Sequence, residues 1–411
     1  MSRLEELIEK LCPNGVEYCK LGDIVKEVNI GINPRKFFRL NPIDATGFYV
    51  TVRELNGILG VKRYDKTDLI NDEAVKIINN RAHIEKGDIL FSNTGTVGKM
   101  ALVNETPTNW GVNEGIYIIK PIQQKILSKF LYYYLDSSHA YNNYSSKFTG
   151  STLKHVTQKA LISISIPVPP LEVQCEIVHI LDNLTLLSAE LSAELSAELK
   201  VRQKQYDYYK DKMLTFDKND VNVEWVNLGT YCKRLKGTVI TAGKMKEIAK
   251  EDGNVKIFAG GKTMINTDDN NIPQKDIIRL PNIIVQSRGI IDFIYYDKPC
   301  SYKREMWSYT TDNIVTLKFI YYYLKKNVDF FRQRASKMGS MPQISLDITE
   351  KYKLPIPNIK AQERIVKILD RFDKLCNDIS EGLPAEIKAR QKQYEYYRDK
   401  LLTFKELKVN E

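Results

Sequence analysis

The stretch RQKQYDYYKDKMLTF, Arg202 to Phe216, recurs as RQKQYEYYRDKLLTF, Arg390 to Phe404, and this duplication constrains the fold more than any other feature of the chain. The three differences, Asp207 against Glu395, Lys210 against Arg398 and Met213 against Leu401, keep charge and bulk, so both copies face the same kind of surroundings. The repeat extends upstream. Pro167, Gln174, Ile177, Leu181 and Asp182 fall on Pro355, Gln362, Ile365, Leu369 and Asp370 at the same shift of about 188 residues. VEYCKLG from Val16 and VEWVNLG from Val223 match at a shift of about 207. A frame is therefore repeated around contents of unequal length.

Those contents, from about residue 25 to 150 and about 232 to 340, share fragments such as KFLYYYL at Lys129 and KFIYYYL at Lys318, and a Gly-Ser at Gly150 and Gly339. Short apolar runs such as DILF from Asp88 and NIIVQS from Asn282, broken by Gly, Asn and Asp turns, predict two related α/β domains with different loops. A length of 411 residues accommodates two or three domains.

After each domain a proline motif, ISIPVPPLEVQ or YKLPIPNIKAQ, ends an extended stretch and opens a helix. No Gly or Pro occurs from Leu171 to Phe216, which predicts a helix roughly 69 Å long. Its centre is SAEL three times, Ser188 to Leu199, a spacer of strong helix formers whose length can change by a unit. In the second copy Gly382 and Pro384 should break or kink the helix. Two such helices pack most simply on each other as an antiparallel coiled coil, which would make the molecule pseudo-twofold symmetric. The expected fold is α+β: an N-terminal helix (1–15), a first α/β domain (16–165), a central long helix (166–220), a second α/β domain (221–353) and a C-terminal long helix (354–411). The N-terminal helix is expected to lie beside the C-terminal one, with Leu7 near Phe404.

A net charge of +10 and a pI near 9.0 favour an acidic partner, of which nucleic acid is the commonest. The six cysteines form no CxxC pair, and Cys175 with His179 supplies two ligands where a metal site needs more, so reduced thiols and no zinc are expected. The acidic amphipathic start, MSRLEELIEK, is no signal peptide, and no apolar run approaches the roughly 20 residues of a membrane span, which leads to the expectation of a soluble cytoplasmic protein. There is no N/D-P-P-Y/F motif, and GTVGKM from Gly95 and TAGKM from Thr241 lack the spacing and hydroxyl of a phosphate loop, so neither catalysis nor a bound cofactor is expected of this chain.

Packing alone needs apolar character at Tyr206, Tyr209, Leu214 and Phe216; it does not need Gln203, Lys204, Gln205 and Asp211 repeated. The duplicated stretch is thus read as a surface for two identical partners, carried by Arg202, Gln203, Gln205, Tyr206 and Tyr209 and again by Arg390, Gln391, Gln393, Tyr394 and Tyr397. Candidate DNA contacts, chosen as phosphate and base-edge donors on loops, are Arg35, Lys36, Arg53, Lys62, Arg63, Asn93, Thr94, Lys99, Lys147 and Lys154 in the first domain. In the second they are Lys233, Arg234, Lys236, Lys244, Lys262, Gln286, Arg288, Lys303, Arg304, Lys337 and Gln343. Thr94 in SNTGTVGK and Arg288 in QSRG follow equivalent strands and are read as counterparts of different chemistry. FAGGKTMIN, Phe258 to Asn266, has no visible counterpart in the first domain, and its Lys262 is the leading phosphate contact.

The proline motif followed by Q-x-x-I-V-x-I-L-D, the SAEL repeat and the R-Q-K-Q-Y-x-Y-Y end, in two blocks around dissimilar domains, resemble the specificity subunit of type I restriction-modification systems over nearly the whole chain. The resemblance implies two target-recognition domains, each reading one half of a split DNA site, with the helices setting the gap. It also implies two methyltransferase subunits docked on the helical repeats, methylating adenine with S-adenosylmethionine, and restriction subunits that can join them. The alternatives are a self-sufficient DNA methyltransferase or nuclease, and a coiled-coil protein without a DNA role.

Overall fold

The computed structural model describes residues 2–34, 37–150, 153–336, 341–378 and 380–407. The chain forms two compact units, residues 1–193 with 388–411, and residues 194–387. Each RQKQY stretch folds into the unit of the other half: 202–216 belongs to the second unit and 390–404 to the first.

In the first unit, strands Glu17–Lys20 and Ser165–Val168 pair antiparallel and clamp the ends of the domain together. Between them stands a four-stranded antiparallel sheet in the order Val25–Ile30, Ile116–Pro121, Ile89–Ser92, Met100–Leu102. A three-stranded sheet follows the order Leu69–Ile70, Gly47–Val50, Trp110–Val112, the first pair antiparallel and the second parallel. The second unit repeats this strand for strand. Val223–Asn227 pairs with Lys353–Pro357, the four-stranded order is Lys233–Lys236, Trp307–Thr310, Asn282–Gln286, Asp292–Tyr296, and the three-stranded order is Met264–Thr267, Val255–Phe258, Cys300–Tyr302. Central strands such as Ile116–Pro121 and Asn282–Gln286 are buried along their whole length and are mostly apolar, with buried polar residues such as Lys120 and Gln286 paired, the first to Asp88 and the second to the Gly261 carbonyl.

The topology corrects one expectation. The turn in FAGGKTMIN joins Val255–Phe258 to Met264–Thr267, and the same connection exists in the first domain as the longer segment 51–68, between Gly47–Val50 and Leu69–Ile70. The two loops are alternatives at one position, too unlike in length and letters to be aligned by eye.

The repeated polar residues anchor the frame. Lys129 Nζ and Tyr133 Oη donate to Asp182 at 2.6 and 2.8 Å, and Lys318 Nζ and Tyr322 Oη donate to Asp370 at 2.6 and 2.6 Å. Burial, reinforced by the carboxylate, pushes both tyrosine hydroxyls well above their ordinary range, so they remain donors. Gln174 and Gln362 each turn Nε2 back to the carbonyl of the preceding proline motif, Pro169 at 2.8 Å and Pro357 at 2.7 Å, latching each helix to its strand.

The central helix, Leu171–Met213, runs 43 residues without interruption and crosses from the first unit to the second inside the SAEL repeat. The C-terminal block differs: Ile359–Asn377 and Leu383–Leu401 are two helices of 19 residues each, and the long helical segment is broken where Gly382 and Pro384 lie, as those residues lead one to expect. A Cβ on Gly382 would come within 2.5 Å of the Lys374 carbonyl oxygen and 2.6 Å of that of Asp378, and Pro384 sits in the first turn of the next helix, where no N–H is needed. Within the second unit, Met213 packs on the cluster that holds Ile365 while Tyr209 stacks on Phe372 at 5.7 Å, which makes these two helices antiparallel. In the first unit Tyr394 Oη meets Thr185 Oγ1 at 2.9 Å.

The N-terminal helix, Arg3–Leu11, opens with a Ser2–Glu5 capping box. Leu7 and Phe404 pack on one apolar cluster, Tyr18 Oη donates to the Phe404 carbonyl at 3.0 Å, and Val16 N donates to the Lys405 carbonyl at 2.9 Å. No helix among the described residues is long and apolar enough to cross a membrane, and among them no group of three or more His, Cys, Asp and Glu could hold a metal ion.

Candidate nucleic-acid interface and partner surface

The hairpin turns after Ile89–Ser92 and Asn282–Gln286 occupy equivalent places, and each is stitched to the loop that precedes the last short helix of its domain. Gly95 N donates to the Lys154 carbonyl and Gly289 N to the Pro342 carbonyl, both at 2.9 Å. Gly95 and Gly289 have φ of 75° and 76°, a conformation that favours glycine at both turns. These bonds bring Thr94 opposite His155 and Arg288 opposite Gln343 as isolated bridges. Thr94 Oγ1 lies 2.8 Å from His155 Nδ1, and the Arg288 side chain is exposed. His155, absent from the sequence-based candidates, is thus the positional counterpart of Gln343.

Around the second turn, Lys262 is exposed at the tip of its loop, and Gly261 N donates to the Arg288 carbonyl at 3.3 Å. Glu305 stands between Lys303, at 2.9 Å, and Arg288; burial raises its carboxyl, but these cations and a backbone bond outweigh that and hold it below the ordinary range. Gln286 is buried and donates to the Gly261 carbonyl at 2.8 Å, which ties it to the loop around Lys262. In the first domain Lys99 has the same task, donating to the Val52 carbonyl at 2.8 Å, and buried Asn93 donates to the Glu114 carbonyl at 3.1 Å.

Of the remaining candidates, Arg53 turns back to the Lys66 carbonyl, Lys62 lies over the Tyr64 ring at 5.5 Å, and Arg63 is exposed on the same 51–68 loop. Lys147 donates to Ser163 Oγ at 2.9 Å and Lys154 lies over Phe148 at 5.8 Å. Arg234 pairs with Glu350 at 2.9 Å and Lys244 with Glu247 at 2.7 Å, so both cations are engaged locally. Lys233 is exposed on the same edge strand. Lys236 and Arg304, with Lys275, rim an open groove of about 470 Å³. Arg35, Lys36 and Lys337 lie outside the described residues.

The duplicated stretch divides into an inner and an outer face. Tyr206 is buried against Phe372, at 6.1 Å, beneath Lys210, and belongs to the core of the second unit, whereas Tyr394 is half-buried with its hydroxyl on Thr185. Asp211 pairs with Lys326 at 3.1 Å although its side chain is 75% exposed, and Asp399 accepts from Ser138. The outer face repeats in detail. Tyr208 and Tyr396 are 59% and 62% exposed, Tyr209 and Tyr397 42% and 44%, and each pair packs edge to face at 5.4 Å. Arg202 donates to Gln205 and Arg390 to Gln393, both at 3.0 Å, while Gln203 is half-buried and Gln391 donates to Glu395 at 3.1 Å. Tyr208 and Tyr396 were overlooked as candidates, although a residue two positions from an inward tyrosine is turned about 200° round a helix.

The family model of the type I restriction modification DNA specificity domain matches residues 13–201 and again 221–389. The chain belongs to that family. Its two matched segments end directly before the two RQKQY stretches. This type I specificity chain is 34% identical over 303 residues to the EcoR124I/EcoR124II specificity subunit of Escherichia coli, covering 68% of this chain and 72% of that one. It is 29% identical over 319 residues to the EcoprrI specificity subunit of Escherichia coli, covering 72% and 73%. A chain from a solved structure of type I restriction-modification complex assembly shares the fold over 96% of this chain and 98% of its own, at a TM-score of 0.63 and 19% identity.

Proposed function

We propose that the chain reads a split double-stranded DNA site, one half with each α/β domain, as the non-catalytic specificity subunit of a type I restriction-modification complex. Two methyltransferase subunits, which carry S-adenosylmethionine and methylate adenine, dock on the duplicated tyrosine pairs, and restriction subunits join the assembly. The observation that carries this reading is the pairing of equal position with unequal chemistry: Thr94 and His155 in one domain, Arg288 and Gln343 in the other. Arginine reads guanine through two donors and glutamine reads adenine, whereas a threonine and histidine offer a different set, as two unlike half-sites require. Exposed Lys262, Arg63, Lys236 and Arg304 supply phosphate contacts that fix register without reading sequence.

The SAEL repeat sets the gap. One unit adds about 6 Å of helix and about 40° of rotation, on the order of one or two base pairs. Methylation mapped at single-base resolution, with the chain and its methyltransferase subunit co-expressed, tests both parts. Removing residues 192–195 is expected to shorten the gap and leave both half-sites unchanged. An unchanged gap, or altered half-sites, rejects the ruler; absent methylation rejects the specificity role.

A further inference from the structure

Asn93, Thr94 and His155 form a relay whose protons have one arrangement. Asn93 Nδ2 stands 3.1 Å from the Glu114 carbonyl, an oxygen that can only accept, so the amide nitrogen faces it and Oδ1 faces Thr94. Thr94 Oγ1 lies 2.6 Å from that Oδ1 and 2.8 Å from His155 Nδ1. Its single proton must lie on the contact to Oδ1, because two oxygens that close repel with no proton between them. The hydroxyl is left to accept, so His155 Nδ1 carries the proton of that bond. In the neutral imidazole the free lone pair is then on Nε2.

The relay is held still at both ends. Asn93 is 1% exposed, its N–H donates to the Gly115 carbonyl at 2.8 Å, and its carbonyl accepts from Val156 N at 3.0 Å. His155 exchanges two backbone hydrogen bonds with Thr149, at 2.9 and 2.8 Å; it is half-buried, and Nε2 has no hydrogen-bond partner among the described residues. The second domain keeps the backbone and drops the relay. Gln343 exchanges the same pair of bonds with Ser336, at 2.8 and 3.1 Å, while Ser287, in the place of Asn93, donates to the Glu305 carbonyl at 2.8 Å. The Gln343 amide carries a donor and an acceptor; His155 Nε2 offers an acceptor alone.

We infer that His155 reads its half-site as a fixed hydrogen-bond acceptor, and that the base it contacts carries an exocyclic amine in the major groove, adenine or cytosine. Guanine and thymine present acceptors at that edge and would set lone pair against lone pair. Asn93 and Thr94 are positioning residues: they decide which ring nitrogen holds the proton. The base assignment rests on the reading of the first domain as a DNA reader, whereas the proton arrangement exists without DNA.

Nitrogen-15 NMR of the full chain, labelled at its four histidines, reads the tautomer, with His155 assigned from the signal that His155→Ala removes. The Nδ1–H form is expected, and Thr94→Val should move the ring toward Nε2–H because the acceptor is gone. An Nε2–H ring in the native chain overturns the inference. Methylation mapping of His155→Ala, co-expressed with the methyltransferase subunit, locates the base pair that relaxes, and Thr94→Val should relax the same pair. A duplex with purine for adenine, or 2-pyrimidinone for cytosine, at that pair lacks the amine. It should bind the native complex about tenfold more weakly than the unmodified duplex, the low end of one base contact, and the His155→Ala complex no more weakly. Equal loss in both complexes, or a motif that His155→Ala leaves unchanged, overturns this inference alone. No methylation with the native chain overturns the proposed function and the base assignment with it.

Discussion

Asp182 and Asp370 each accept from a lysine and a tyrosine, and removing Asp370 takes the acceptor from the buried Tyr322 hydroxyl, whereas the Tyr133 hydroxyl keeps Thr185 Oγ1 at 3.3 Å. Asp182→Ala is expected to lower stability by about 2 kcal/mol, a value moderated by the partial exposure of the carboxylate, and Asp370→Ala by a similar amount; urea denaturation measures both. The duplicated tyrosines separate by face. Tyr206→Ala should cost about 3 kcal/mol of folding stability because it empties a stacked core position. Tyr208→Ala combined with Tyr396→Ala should leave thermal unfolding unchanged and weaken methyltransferase binding by roughly 1 to 2 kcal/mol per site, measured by titration calorimetry. The duplication made all of these residues visible in sequence, because a letter kept twice has the same task twice. It did not separate inward from outward positions: Tyr206, read as part of a partner surface, is buried, and Tyr394 is half-buried. His155 stayed hidden for the opposite reason: its counterpart is Gln343, and a position whose purpose is to differ leaves no repeated letter.

Helices were the most legible elements. The run from Leu171 lacks any Gly or Pro and is one helix, whereas Gly382 and Pro384 mark the interruption of the other block. That interruption is tightly built. Three backbone carbonyl oxygens, of Lys374, Asp378 and Leu375, stand within 2.9 Å of the place a Cβ would take on Gly382. Gly382→Ala is therefore expected to destabilise the second unit by about 1 to 3 kcal/mol, in spite of the higher helix propensity of alanine, and a fall in Tm checks it. A slack hinge would gain from the same change. The strands were less legible than the helices: a largely buried strand is satisfied by many combinations of apolar and internally paired residues, so Ile116–Pro121 and Trp307–Thr310 share their place in the sheet without sharing their letters. Loop 51–68 and the turn around Lys262 show the same limit, equal in topology and unequal in length.

Across the whole molecule, a charge of +10 attracts DNA without regard to sequence, while discrimination falls to a few groups on each domain. Lys262 and Arg288 lie beside each other on the second domain, linked through Gly261, and should fail in different ways when removed. If Lys262 makes the phosphate contact proposed for it, Lys262→Ala should lower affinity for every sequence alike, leave the methylated motif unchanged, and shrink the slope of log affinity against log salt by about 1. If Arg288 makes the base contact proposed for it, Arg288→Ala should shift the salt slope little and relax the motif at about one base pair of a single half-site, at a cost of about 1 to 3 kcal/mol there. The other half-site, read by the domain that bears Thr94 and His155, should stay intact. Fluorescence binding across a salt series, paired with methylation mapping, measures both quantities on the same variants. If Arg288→Ala weakened binding uniformly, or relaxed both halves together, the assignment of one half-site to each domain would have to be abandoned, because two units with separate cores give a local substitution no other route to a distant half of the DNA.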